Sequence, residues 1–172
     1  VFDSPPDGPS ISELAQQAMD ILPLADPVIG IVPNPDGAGL VGMPVWMWLE
    51  NPEAAWGPVS VSVPGPGITV TAQGQATQVE WQMGDGTTVV CEGPGTPYEP
   101  RYGDQRSPSG CDHVYTEPSR SQPTGRYTVT ATVSWHLQWW VEPQGSGAEG
   151  EDFRSRVSQT TVRINELQVV TS

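Results

Sequence analysis

Few side chains in this 172-residue chain have the types and spacing that chemistry needs. The candidates are two cysteines, Cys91 and Cys111, two histidines, His113 and His136, three aspartates in turns, and some of the seven tryptophans. Two cysteines admit one pairing. Both lie in turn-rich sequence, and no second Cys or His pair offers zinc spacing. A disulfide is preferred over two reduced thiols, and it implies an oxidising compartment outside the cytoplasm. On the chain-entropy model, closing that loop stabilises the fold by roughly 3 kcal/mol. Neither histidine sits in a nucleophile motif, and no spacing among the 20 acidic residues singles out a catalytic pair. The expectation is no catalysis and no cofactor. Asp85, Asp104 and Asp112 are the candidate calcium ligands. No Asp-x-Asp-x-Asp-Gly loop is present, so ordinary turn aspartates are the preferred reading. Trp46, Trp48, Trp56 and Trp140 are the candidate binding surface, since exposed indoles stack on sugar rings or anchor a protein partner.

Charge limits the partners. Seven arginines and no lysine stand against 20 acids, a formal net charge of −13. Such a field repels phosphate and argues against nucleic acid and anionic membrane surfaces. The imbalance is uneven: residues 1–100 hold 12 acids and no base, whereas residues 101–172 hold 8 acids and all 7 arginines. A cationic partner or divalent ions should therefore meet the N-terminal half. No apolar run is long enough to span a bilayer. Residues 1–6 lack the basic and apolar regions of a signal peptide, which reads as a mature or trimmed start. Arginine-only usage with abundant Gly, Pro, Ala and Val resembles the composition of high-GC actinobacterial proteins.

The elements that must position these residues are mostly strands. Twenty valines against seven leucines favour a pleated surface over helices. Residues 1–9 read as flexible. One helix is expected over about 10–22, where Ile11, Leu14, Ala15, Ala18, Met19 and Leu22 recur at three- and four-residue spacing, with Ser10 as N-cap. Strands follow over about 28–33 and 40–49. The second is apolar on both faces, with Trp46 and Trp48 opposite Val45 and Met47; it is expected to be buried under the N-terminal helix. Clean alternation marks strands around Val59–Val63, Ile68–Ala72 and Val79–Met83, and a long one over 127–139. Residues 143–152 read as an acidic loop. A last strand is expected over about 157–170, with a bulge between Ile164 and Leu167. Many strands without βαβ alternation predict an all-β antiparallel sandwich.

One spaced set of residues is familiar. Trp81-Gln82-Met83-Gly84-Asp85-Gly86 is followed by His113-Val114-Tyr115, then by Gly125-Arg126-Tyr127-Thr128-Val129. This resembles the PKD (polycystic kidney disease) domain, marked by Trp-x-x-Gly-Asp-Gly, His-x-Tyr and Gly-x-Tyr-x-Val. The resemblance covers about residues 58–140. It implies an immunoglobulin-like β-sandwich of extracellular and cell-surface proteins, with His113 as a structural hydrogen-bonder. Gln82 and Met83 stand where the family usually has Asp and an aromatic, which weakens any inference of the calcium site some members carry. The expected organisation is an N-terminal extension, 1–57, packing on or beside a PKD-like sandwich, 58–172, with a disulfide-closed insert at 91–111.

The expected function is a non-catalytic extracellular module for adhesion, spacing or protein–protein contact, bound to a protein or glycan at the cell surface. Two alternatives are a carbohydrate- or cell-wall-binding accessory module using exposed tryptophans, and a self-assembling homo-oligomeric subunit in which segment 28–49 adds to a neighbour's sheet.

Overall fold

The structure, a computed structural model, describes residues 8–143 and 147–166. Most of the expected flexible start and the Leu167–Val170 part of the expected last strand lie outside the described residues. The fold is mostly β, compatible with an all-β sandwich. Its larger sheet runs in the order β4 (Val59–Gly65), β5 (Ile68–Gln82), β8 (Tyr127–Glu142) and β9 (Glu149–Val162), all antiparallel, with β6 (Thr88–Cys91) on the same edge of β5 as β4.

β5 corrects the expectation of two strands around 68–72 and 79–83. It is one 15-residue strand with a bulge at Thr77, between the pairs Ala76–Trp135 and Gln78–Ser134. The extra residue flips the parity, so Val70, Ala72 and Ala76 face the core before it and Val79, Trp81 and Met83 after it. On β8, every second residue from Tyr127 to Leu137 is buried, as its alternation predicts.

The smaller sheet is built from distant segments, in the order β1 (Ile29–Val32), β3 (Pro44–Leu49) and β7 (Asp112–Val114). β3 lies between two partners, pairing Trp46 with Val32 and with Asp112. The strand expected over 40–49 is broken at a turn. β2 (Gly39–Leu40) ends there and pairs in parallel with β10 (Ile164–Asn165). Gly42, at φ +90°, takes the left-handed conformation this turn needs.

α1 (Ile11–Asp20) is capped by Ser10, whose hydroxyl oxygen accepts from the Glu13 N–H at 3.2 Å. Leu14, Ala15, Ala18 and Met19 are its buried stripe, and they rest on β4, β5 and β8. The helix therefore covers the larger sheet, a correction to its expected place over Trp46 and Trp48. A one-turn helix, α2 (Pro52–Ala55), was not legible in the sequence. Asn51 before it accepts from the Val28 N–H and donates to the Asp26 carbonyl, tying the chain ends of this turn together.

β9 begins at Glu149, inside the expected acidic loop, and it is the outermost strand of its sheet. Its core-side positions carry Arg154 and Arg156 in place of apolar residues. These reach the N-terminal segment: Arg154 pairs with Asp20 at 3.3 Å, and the Arg156 guanidinium donates to the Leu24 carbonyl at 3.1 Å. Arg126 likewise donates to the Pro35 carbonyl. Cations of the balanced C-terminal half thus hold down the purely acidic N-terminal half. On β9 itself, the Phe153 N–H donates to Asp152 and the Ser155 carbonyl accepts from Arg156, so the strand's own side chains occupy part of its backbone.

Candidate functional site

The motif residues converge on one network between the two sheets. Gly84-Asp85-Gly86 makes the turn from β5 to β6, closed by a bond from the Met83 N–H to the Thr87 carbonyl at 3.0 Å. A Cβ at Gly84 would lie 2.7 Å from the Thr128 carbonyl, and φ there is +84°, so only glycine fits. Asp85 accepts from the Thr87 N–H at 3.0 Å and bonds His113 at 2.7 Å across to β7. The His113 ring meets Tyr115 edge-on at 4.5 Å, and Tyr115 stacks on Tyr127 at 4.4 Å. Tyr115 donates its hydroxyl to the Met83 carbonyl at 2.7 Å, and Tyr127 donates to the Glu117 carbonyl at 2.7 Å. Trp81 and Val129 are fully buried beneath. Gly125 closes the turn before β8, its N–H donating to the Gln122 carbonyl.

Electrostatics fit a structural role. Burial raises the Asp85 carboxyl, but the bonds from His113 and Thr87 outweigh it and hold the group below its ordinary value. Burial pushes the Tyr115 hydroxyl well up, so it stays a donor. Asp85, Thr87, Glu117, Ser121 and Tyr127 edge an open polar cavity of about 360 Å³.

The insert makes the second cluster. Cys91 and Cys111 form the disulfide, with Cα atoms 5.9 Å apart. Within the loop they close, Tyr98 and Tyr102 pack on Trp46 at 5.1 and 4.9 Å, and the Trp46 indole N–H donates to the Gln105 carbonyl at 2.9 Å. Trp46 is thus covered by the insert. Trp48 is also buried, and its N–H donates to Glu50 at 2.6 Å. These two tryptophans are withdrawn from the candidate binding surface, because their strand is covered on both faces. Trp56 is half-buried against the core. Trp140 is half-buried on the outer face of the larger sheet, where its N–H donates to Glu142.

The three candidate calcium ligands do not come together. Asp85 is taken by His113 and Thr87, and Asp112 by a two-pronged Arg106 contact at 2.6 and 2.9 Å and by the Ser107 N–H at 2.6 Å. Asp104 is exposed in the insert. No group of three or more His, Cys, Asp or Glu side chains placed to hold a metal occurs among the described residues.

Sequence reasoning missed Tyr98, Tyr102, Arg106 and Phe153. The first two stand four residues apart inside a cysteine-closed loop, a signal that could have marked them as its packing core. Phe153 is 66% exposed beside His136, whose ring it stacks at 5.1 Å while His136 bonds Glu151 at 2.6 Å. Together with Trp140, this gives the outer face an aromatic line among Gln73, Gln75 and Gln138. No helix among the described residues is long and apolar enough to cross a membrane. Compared with known proteins, the chain matches no family model, no curated protein and no solved structure.

Proposed function

We propose that this chain is a non-catalytic, extracellular, PKD-like and immunoglobulin-like module that makes protein contacts at a cell surface. One observation carries the reading: the polar and aromatic side chains Asp85, His113, Tyr115 and Tyr127 of the motif enter one structural network. Asp85 and His113 bond each other and a turn, Tyr115 and Tyr127 bond backbone carbonyls, and Trp81 is core. These polar groups are engaged with one another and with the backbone, which supports a structural role for the motif. The disulfide supports an oxidising location.

The test titrates fluorescently labelled chain onto intact actinobacterial cells before and after mild surface proteolysis. Saturable binding that proteolysis removes is expected. Absence of saturable binding overturns the reading.

A carbohydrate-binding role is the second reading, favoured by Trp140 and Phe153 on a glutamine-rich outer face. It has lost Trp46 and Trp48, and it predicts binding that survives proteolysis but is removed by glycan hydrolases. Self-assembly through segment 28–49 has less support, because β1 and β3 already pair with each other and with β7 inside the chain.

A further inference from the structure

The disulfide-closed insert leaves a cavity of about 220 Å³ where it meets the start of β3. Its walls include Pro33, Met43, Trp46 and Tyr98, and Gly103 and Asp104 lie at its insert side. Three properties of this cavity point the same way. Tyr98 is a partly exposed aromatic ring on the cavity wall, backed by the buried Trp46 at 5.1 Å, and such a ring attracts cations. Pro33 and Met43 offer an apolar surface along which a methylene stem can lie, and Met43 is 40% exposed. Asp104 is exposed and takes part in no hydrogen bond or ion pair among the described residues.

The chain's own cations do not fill this place. Arg101 is held by Glu99 at 3.0 Å and lies over Tyr102, and Arg106 is held by Asp112. The first 100 residues contribute 12 acids and no base to the surrounding field.

We infer that this cavity receives the arginine side chain of a partner polypeptide, with the guanidinium on Asp104 and the Tyr98 ring and the stem against Pro33 and Met43. Arginine fits better than lysine because its planar group can stack on a ring and bond a carboxylate with two parallel N–H groups. A metal ion would find one free carboxylate and too few further donors. A sugar would find few polar partners, since the Tyr98 hydroxyl already donates to the Gly103 carbonyl at 2.9 Å.

This deepens the contact-module reading, naming the chemistry of one contact, and it rests on that reading for its partner. The experiment titrates the peptide acetyl-Gly-Gly-Arg-Gly-Gly-amide into the full oxidised chain, followed by two-dimensional amide NMR. A second titration replaces arginine by citrulline, which keeps the shape and removes the charge. Saturable shifts at Trp46, Tyr98, Gly103 and Asp104 are expected, with the citrulline peptide about tenfold weaker. Asp104→Asn should weaken the arginine peptide about fivefold, as loss of a partly exposed charge-assisted bond implies. Met43→Ala should weaken both peptides by a smaller and similar factor. Equal binding of the two peptides, or no effect of Asp104→Asn, overturns the assignment. Cell binding that persists while the arginine peptide fails overturns the cavity alone. Peptide binding by a chain that binds no cell surface overturns the module reading instead.

Discussion

The two sheets are built on different principles. The larger pairs long strands over long registers, seven positions in the β4–β5 hairpin, from Val59–Gly74 to Gly65–Ile68, and thirteen between β5 and β8. Its strength comes from an inward face of Val, Ala and Trp that is almost wholly buried. The smaller sheet joins β3 to β7 across more than 60 residues of chain, with three paired positions. Few backbone bonds cannot offset the entropy of closing so large a loop. The work is shared by side chains: the disulfide, the Arg106–Asp112 pair, Trp46 under its two tyrosines, and the Asp85–His113 bond. Apolar burial builds one sheet, and specific cross-links build the other.

The largest expected effect tests the first half of that contrast. Trp81→Ala, at 1% exposure, should cost about 3–5 kcal/mol of unfolding free energy in a denaturant titration. It should weaken both sheets together, since the indole lies in the core they share. Reducing Cys91–Cys111, or replacing both by Ser, should cost about 2–4 kcal/mol. Hydrogen exchange should then accelerate first in β3, β7 and the insert, while β5 and β8 stay protected. Simultaneous loss of protection in both sheets would remove the contrast.

Next, Tyr115→Phe keeps the stacked ring but orphans the Met83 carbonyl, an expected loss of about 1–2 kcal/mol by thermal or chemical unfolding. The pH dependence should follow from Asp85 and Asp112. For Asp112, burial raises the carboxyl, but bonds from Arg106 and the Ser107 N–H, with nearby positive charge, bring it below 3.8. Both carboxyls are depressed in the folded state, so their stabilisation is complete above the unfolded pKa and is lost as pH falls through the lower folded values. Unfolding free energy should therefore drop below about pH 4, and Asp112→Asn should flatten that drop. The smallest effect belongs to the exposed Arg154–Asp20 pair: Asp20→Asn should change stability by about 0.5 kcal/mol or less, and less still in high salt.

The same contrast explains what the sequence made legible. α1, the faces of β8 and the inward positions of β4 follow from local periodicity, because one buried face imposes period two or 3.6 on the residues. The disulfide followed from there being two cysteines. The bulge at Thr77 was readable in principle, since Val70 and Ala72 are even and Val79 and Trp81 odd, but the flip was read as a break between strands. The first half of β9 was hidden because its core side carries Arg154 and Arg156, which reach the N-terminal segment by polar contact and leave no apolar alternation. The lid over Trp46 could not be read at all from local pattern. The apolar residues of β3 announce that something covers them, and nothing in 40–49 says whether a helix before it or a loop 50 residues later does so.

One detail of β9 reaches beyond the single molecule. An outermost strand of 14 residues is a template on which another chain could grow a sheet. Here Asp152 and Arg156 answer two of its backbone groups from within the strand, and there is no lysine anywhere to repel a newcomer. The strand is thus stoppered by its own side chains at two points along its length. A newcomer's strand would have to displace a side chain at each of these two groups before it could pair there.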